Sequence, residues 1–331
     1  MPMAGRGSRF FENGFVMPKP LIEINDRPFF YWATQSIAKF VDCADITFVV
    51  LEEHIRDHAI DREIKTYYPD AKIVALPEVT EGAAITALRG AESLPDDEPL
   101  LFNDCDHLFL CKPFNEFCKA GDFANGPDGA LLTFASDSPA YSYLQYGADG
   151  RVCHTVEKQV VSHDAICGAY YFKNKQLYAS ACAEYLHHCD YKEFFVSGIY
   201  NVLADRGADL RGFATDLHLP FGTPAEYAQA EQEANKAAFE KLMKNPPNKL
   251  TDSGDRRCNL SEPFYYCCFP PRHWCCWGMC SACSGGNSSS AFMNTPSAAA
   301  CCAPWPGAMP STFCCHSMWA IFCAPLWLAA K

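Results

Sequence analysis

The spacing of apolar residues changes several times along this chain, and each change marks an element. Residues 27–40 (RPFFYWATQSIAKF) carry apolar side chains at helical spacing behind an Asn25-Asp26 turn, which predicts a helix. Residues 46–51 (ITFVVL) are an unbroken apolar run rich in β-branched residues, the pattern of a buried parallel strand. A charged amphipathic helix is expected over 52–67 and a strand over 72–76. A small-residue helix then opens at Thr80-Glu81-Gly82-Ala83-Ala84, and a strand follows over 99–102. That strand runs into Asn103-Asp104-Cys105-Asp106-His107. Strand and helix in alternation predict an α/β fold with a doubly wound, mostly parallel sheet. Ligands in such sheets sit beyond the carboxyl ends of strands, where Asp104 and Asp106 fall.

From Asp128 the segments shorten. Strands are expected over 130–134, 143–146, 151–157 and 166–172, with a hairpin turn at Gly147-Ala148-Asp149-Gly150. Helices follow over 175–189 and 193–206, then a strand from Gly207 through about Leu219. Pro224 in a first helical turn, with Thr223 as its cap, starts a polar helix to about Lys244. These patterns predict one domain over residues 1–245: a ligand-binding half over about 1–125, and a mixed-strand half over about 126–245. Phe29-Phe30-Tyr31-Trp32 reads as core.

Beyond Asn245-Pro246-Pro247-Asn248 no period holds. Between Pro263 and Lys331 the only charged side chains are Arg272 and Lys331, and five of the six tryptophans lie there. Cys280 and Cys283 have zinc-knuckle spacing but lack a second pair of the expected kind. Residues 246–331 are therefore read as an irregular Cys/Trp/Pro-rich tail without a stable fold of its own.

Charge narrows the partners. A net charge of −12 over 331 residues argues against nucleic-acid and anionic-membrane surfaces, because a polyanion needs a basic face. No secretory signal and no apolar run of membrane-spanning length is visible. Of twenty cysteines, twelve crowd into residues 258–323, and eight are scattered earlier at no regular spacing. The scattered ones read as reduced, partly buried thiols, and the expected location is cytoplasmic.

Against that acidic background one cationic stretch stands out: Ala4-Gly5-Arg6-Gly7-Ser8-Arg9-Phe10, followed by Pro18-Lys19-Pro20. Alternating glycines free the backbone to turn several N–H groups toward one point, and Arg9 and Lys19 add two cations. This combination suits the phosphates of a nucleotide. It is neither a Walker loop, lacking Gly-Lys-Ser/Thr, nor a dinucleotide fingerprint, since Phe10 stands where the third glycine belongs. Such a nest normally follows a buried strand, and only Met1-Pro2-Met3 precede it, so a truncated first strand is expected.

This loop, with Leu21-Ile22 after it, resembles the signature of the sugar-phosphate nucleotidyltransferases. The similarity runs from residue 2 to about 240, in the order of that family's blocks. It is nearest the branch that serves capsule or lipopolysaccharide precursors and choline-phosphate cytidylyl transfer. The resemblance implies a Rossmann-like, GT-A-like fold and an Mg2+-dependent, in-line transfer of a nucleotidyl group from an NTP to a phosphomonoester. The acceptor would be a sugar-1-phosphate or a phosphocholine-like ester, and pyrophosphate would leave. It further implies that Ala4, Gly5, Gly7, Ser8, Glu81 and Gly82 bind the nucleotide. Arg9 would hold the departing pyrophosphate, and Lys19 would face the α-phosphate. Asp106, with Asp104, would hold the metal. Glu157, Lys158 and Gly168 would face the acceptor.

One departure is visible. Relatives often carry a second metal aspartate just before the Gly-Thr block, whereas Leu219-Pro220-Phe221 precede Gly222-Thr223 here. Asp216 and Asn201 are the nearest substitutes. His107 reads as a local hydrogen-bonding residue rather than a ligand, and His54, His163, His187 and His188 as surface or loop residues. Two other functions remain open at this point. One is a GT-A glycosyltransferase, because Asp104-Cys105-Asp106 is a D-x-D. The other is a nucleotide-sensing or subunit module that kept the fold without turnover. Oligomeric state has no local code.

Overall fold

The computed structural model describes residues 1–189 and 191–244. The tail over 246–331, with Cys280 and Cys283, lies outside the described residues. The elements run α1 (Ser8–Glu12), β1 (Glu23–Ile24), β2 (Arg27–Pro28), α2 (Phe29–Ile37), β3 (Thr47–Leu51), α3 (Glu52–His58), α4 (Ile60–Tyr67), β4 (Lys72–Leu76), α5 (Ala83–Ala91), β5 (Leu100–Asn103), β6 (His107–Leu110) and α6 (Lys112–Ala120). The second half holds β7 (Gly129–Ala135), β8 (Ser142–Tyr146), β9 (Val152–Glu157), β10 (Asp164–Phe172), α7 (Lys175–His188), α8 (Val196–Asp205), β11 (Leu210–Ala214), β12 (Leu217–Pro220), α9 (Pro224–Ala230) and α10 (Glu233–Lys244).

All five residues of β3 are buried, as its unbroken apolar run requires, and it pairs in parallel with β4. Residues 1–3 lie along its other edge. Pro2 bridges Val49 in parallel, and the Met3 amide donates to Val49 O at 2.8 Å. Three residues thus stand in the first-strand position and lead straight into the glycine loop. The mixed half is built around β10, which pairs antiparallel with β5, β7 and β8; β8 continues to β9, and β11 runs parallel to β7. The α/β class and the mixed-strand second half are as expected.

The predicted helix over 27–40 starts two residues late, because Arg27 and Pro28 pair back onto Glu23-Ile24 through an Asn25-Asp26 turn with φ of 47° and 61°. It also ends three residues early, at Ile37, and its nine residues are all buried, the four-aromatic stripe included, so α2 is a central helix rather than an amphipathic surface one. The predicted helix over 52–67 breaks at Ala59 (φ 51°), and Ile60 and Ile64 beyond the break are fully buried. The strand expected from Gly207 to about Leu219 divides. Thr215 donates its amide to Thr133 O, Asp216 accepts from the Lys112 amide at 2.7 Å, and the chain passes from β7 to pair antiparallel with β6. Several elements had no prediction, α1 and β1 among them, and two others follow the aspartate turn. The strand β6 follows the aspartates at once, and α6 carries Pro113 in its first turn and Gly121 (φ 68°) at its end.

A register shift interrupts the pairing of β10 with β7 between Ile166 and Tyr170. Gly168 sits inside it at φ 95°, and its carbonyl accepts from the Asp104 amide at 2.9 Å. The bulge therefore ties the second half to the turn that bears the aspartates.

Candidate functional site

A cleft of about 630 Å³ opens between the glycine loop, Lys19, the segment 79–83 and the Asp104-Cys105-Asp106 turn. Two strand positions set its floor. Residues 1–3 deliver the loop from one, and β5 ends at Asn103 immediately before the aspartates.

In the loop, Gly7 adopts φ 62°, and a Cβ there would lie 2.9 Å from Lys19 Cβ. Glycine is needed on both counts, for the left-handed backbone and for the close approach of Lys19. Gly7 O accepts from the amides of Phe10 and Phe11, closing the short α1 turn, and Phe10 is buried under it. Among the described residues the amides of Gly5, Arg6 and Gly7 make no hydrogen bond. Three donors left unengaged at the rim of a cleft suit anionic oxygens. Arg6 pairs with Glu53 at 3.4 Å. Arg9 is exposed and lines the cleft.

Lys19 donates to Asp106 Oδ2 in a part-buried ion pair. Burial opposes charge on both partners. Each nevertheless wins the other's charge: Lys19 is raised above its ordinary range by Asp106, and Asp106 is held below the carboxylate range by Lys19. Asp104 makes no ion pair among the described residues, and Lys19 and the Met1 ammonium only partly offset what acts on it. Burial first, then the Asp106 charge, pushes it up to about 7, and Glu157 adds to the negative field. The two carboxylates of this turn are therefore unlike: one is ionised and paired, the other poised near neutrality.

Gly222 approaches this pair from the far side. A Cβ on it would lie 2.4 Å from Asp106 Oδ2 and 3.5 Å from Glu226 Oε2. Glu226 is a third carboxylate at the site that sequence reading missed. It is the third residue of α9, where Thr223 Oγ1 accepts from its amide at 3.2 Å, so its spacing signals only a helix cap. Its side chain takes hydrogen bonds from Tyr141 and from Thr223 Oγ1. Asp216 and Asn201 do not reach the cleft. Asp216 caps α6, and Asn201 is bound to Thr155 through its amide oxygen at 2.7 Å and its amide nitrogen at 3.1 Å.

Glu81 and Gly82 line the cleft beside α5. Glu81 O accepts from the Phe194 amide at 3.3 Å, and Phe194 O accepts from the Ala84 amide at 2.9 Å. Gly82 lies so close that a Cβ would meet Phe194 N at 2.4 Å. Glu157 and Lys158 lie outside the cleft lining. Glu157 Oε1 accepts from Ser142 Oγ at 2.6 Å and from Ser197 Oγ. Lys158 takes φ 54° and stands over the Phe195 ring, 5.6 Å from its centroid. Gly168 acts from below: a Cβ there would lie 2.8 Å from Asp104 Oδ2.

His107 departs from expectation. It is buried, and neither ring nitrogen makes a well-formed hydrogen bond among the described residues; burial pushes its imidazole down to about 4. The eight cysteines before the tail are free thiols, six of them buried, as expected. No helix among the described residues is long and apolar enough to cross a membrane.

No family model and no curated protein matches the sequence. Solved structures do resemble it. A nucleoside-diphosphate-sugar pyrophosphorylase from Vibrio cholerae matches with a TM-score of 0.59 and 23% identity, over 70% of this chain and 98% of that one. A protein assigned as a glucose-1-phosphate thymidylyltransferase from Bacillus anthracis, in complex with a sucrose, matches at 0.56 and 17%, over 70% and 93%. An inositol-1-phosphate CTP transferase from T. maritima matches at 0.54 and 16%, over 73% and 93%. At these identities the likeness is one of fold. The structural neighbours are sugar-phosphate nucleotidyltransferases, and the described chain has their fold.

Proposed function

We propose that this chain transfers a nucleotidyl group from an NTP to a sugar-1-phosphate or a similar phosphomonoester. One observation carries the reading: unengaged loop amides, Lys19 and two unlike aspartates converge on a single cleft. In the proposed reaction an acceptor phosphate oxygen forms a bond to the α-phosphorus, and the bond from that phosphorus to the β-bridging oxygen breaks. Pyrophosphate leaves with the electron pair. The acceptor oxygen is already ionised, so no general base is required, and positioning with charge neutralisation supplies the acceleration.

The amides of Gly5 and Gly7 cradle the β- and γ-phosphates between Ala4 and Ser8, and Arg9 grips the leaving pyrophosphate. Lys19 neutralises the α-phosphate, and Glu81 and Gly82 border the base. Lys158, next to Glu157 and outside the cleft lining, is assigned to the acceptor phosphate, with Gly168 packed under Asp104. The Asp104 and Asp106 oxygens form an all-carboxylate donor set, with Asp104 raised by burial and then by its neighbour's charge, and such a set fits a hard divalent cation. Bound there, Mg2+ would neutralise charge on the triphosphate.

The test is pyrophosphate release from each NTP with Mg2+ and a panel of sugar-1-phosphates and phosphocholine. Lys19→Ala and Asp106→Ala should each lower the rate at least ~100-fold, the scale of lost transition-state electrostatics. Near-normal rates in either variant refute the site. Silence with every NTP in a folded protein favours a nucleotide-sensing module, and consumption of a nucleotide sugar favours a glycosyltransferase.

A further inference from the structure

Behind the aspartate turn, three strands bring one donor each to a single point. The register of β6 with β12 sets Phe109 opposite His218 and His107 opposite Pro220. His107 and His218 are therefore diagonal neighbours on one face of that ribbon, with ring centroids 5.5 Å apart. The third donor comes from β10, where the bulge at Gly168 interrupts pairing and carries the buried Cys167. One ligand atom from each of His107, Cys167 and His218 lies within 4.8 Å of the others.

The hydrogen bonding of these rings is anomalous. All four ring nitrogens of His107 and His218 are sealed from solvent, and none makes a well-formed hydrogen bond among the described residues; only loose approaches of the Asp104 backbone to His107 and of the Cys167 backbone to His218 are present. A buried imidazole left unpaired forfeits its hydration with nothing in exchange, and here two such rings face each other. Phe134 lies against His218, 4.0 Å between centroids, so the apolar side of the ring is packed while its polar atoms are left over. Two neutral imidazoles and a thiol are a borderline-soft donor set, unlike the carboxylate oxygens in the cleft.

We propose that His107, Cys167 and His218 bind one zinc ion, which pins β6, β10 and β12 together behind the cleft. Zinc bonds of about 2.0–2.1 Å to nitrogen and 2.3 Å to sulfur require donors roughly 3.3–3.6 Å apart in a tetrahedral set. The three donor atoms, now within 4.8 Å of one another, must close by about 1 Å to meet this. On binding, the Cys167 S–H bond breaks, the thiolate bonds the metal, and the proton leaves to solvent; no oxidation state changes. The ion is independent of nucleotidyl transfer, so its absence would leave that reading intact.

The experiment uses the full chain, reduced, stripped with chelator, reloaded with Zn2+ and desalted, with metal measured by atomic emission. The tail cysteines can also take zinc, so the difference between proteins is read. Cys167→Ser and His218→Gln should each bind one equivalent fewer than the unaltered protein. The double variant should also bind one fewer, not two, because the ligands share one ion. Zinc should raise the thermal midpoint of the unaltered chain by more than that of either variant. Equal metal content in variants that keep the native circular dichroism overturns the proposal. Should the variants fail to fold, crystals of the zinc-loaded unaltered protein decide it. An anomalous peak at the zinc edge between the three side chains supports the site, and a map without one there overturns it.

Discussion

A single methyl group at residue 222 gives a sharp test of how Asp106 is held. Gly222 has no positive φ, so alanine fits its backbone and the substitution acts through space alone. The new Cβ would stand 2.4 Å from Asp106 Oδ2, where ordinary contact begins at 3.4 Å. About 1 Å must be found, and the retreating atom is the one that accepts from Lys19. Glu226 Oε2, already at 3.5 Å, restricts escape on the near side. A displacement of that size in a positioning group costs on the order of 100-fold in rate. Overpacking costs about 1–3 kcal/mol of stability. Pyrophosphate release under saturating Mg2+ reads the first effect, and urea unfolding reads the second. Gly222→Ala should therefore lose activity far beyond its loss of stability. A kcat/KM within about threefold of the unaltered enzyme, in a folded protein, would refute the placement of Asp106 at the reacting centre.

Lys39 is buried, and desolvation brings its ammonium down to about 8 from 10.5. Between those values the unfolded chain binds more protons than the folded one, so stability rises with pH from about 8 to 10.5. Lys39→Met should remove that rise and be more stable at pH 7 by about 3 kcal/mol, with the gap to the unaltered chain closing toward pH 10.5; parallel urea curves at all pH values contradict this. Gly82→Ala places a Cβ 2.4 Å from the Phe194 backbone nitrogen, which cannot swing aside as a side chain can. It should lower the thermal midpoint by more than Gly121→Ala, even though Gly121 (φ 68°) is the strained position with open space around it. Tyr200 is buried, and its Oη lies 2.9 Å from Ala130 O and 2.7 Å from Tyr171 O, so Tyr200→Phe should cost about 1–2 kcal/mol in urea unfolding, and an unchanged midpoint would show those carbonyls satisfied otherwise.

Legibility in the sequence tracked how local the physical cause was. The strand β3 was readable because burial on both faces leaves an unbroken apolar run. The glycine loop was readable because its chemistry is compressed into six residues, Ala4 to Arg9. The break at Ala59 was not, since alanine gives no warning of φ 51°, and the helical period continues across it. Glu226 was hidden behind its place in the Thr223 cap, and it lies near the aspartate turn because the β12–β6 pairing brings Gly222 across. The His107, Cys167 and His218 cluster is assembled by one register and one bulge, so no spacing along the chain announces it. Asp216 shows the reverse error: it stands at the right place in the sequence, yet its carboxylate serves the α6 amide.

If the cleft binds a nucleotide as proposed, the Lys19–Asp106 pair bears on which form of it would enter. At rest the two charges cancel, so neither attracts a stray phosphate or a stray cation strongly. A free nucleotide could satisfy Lys19 only by stranding Asp106, and a lone cation could satisfy Asp106 only by stranding Lys19. A metal–nucleotide chelate brings both counter-charges in one arrival and exchanges one neutral pair for two. Under the proposed function the pair would thereby work as a two-key latch, favouring chelated over bare triphosphate before any chemistry begins.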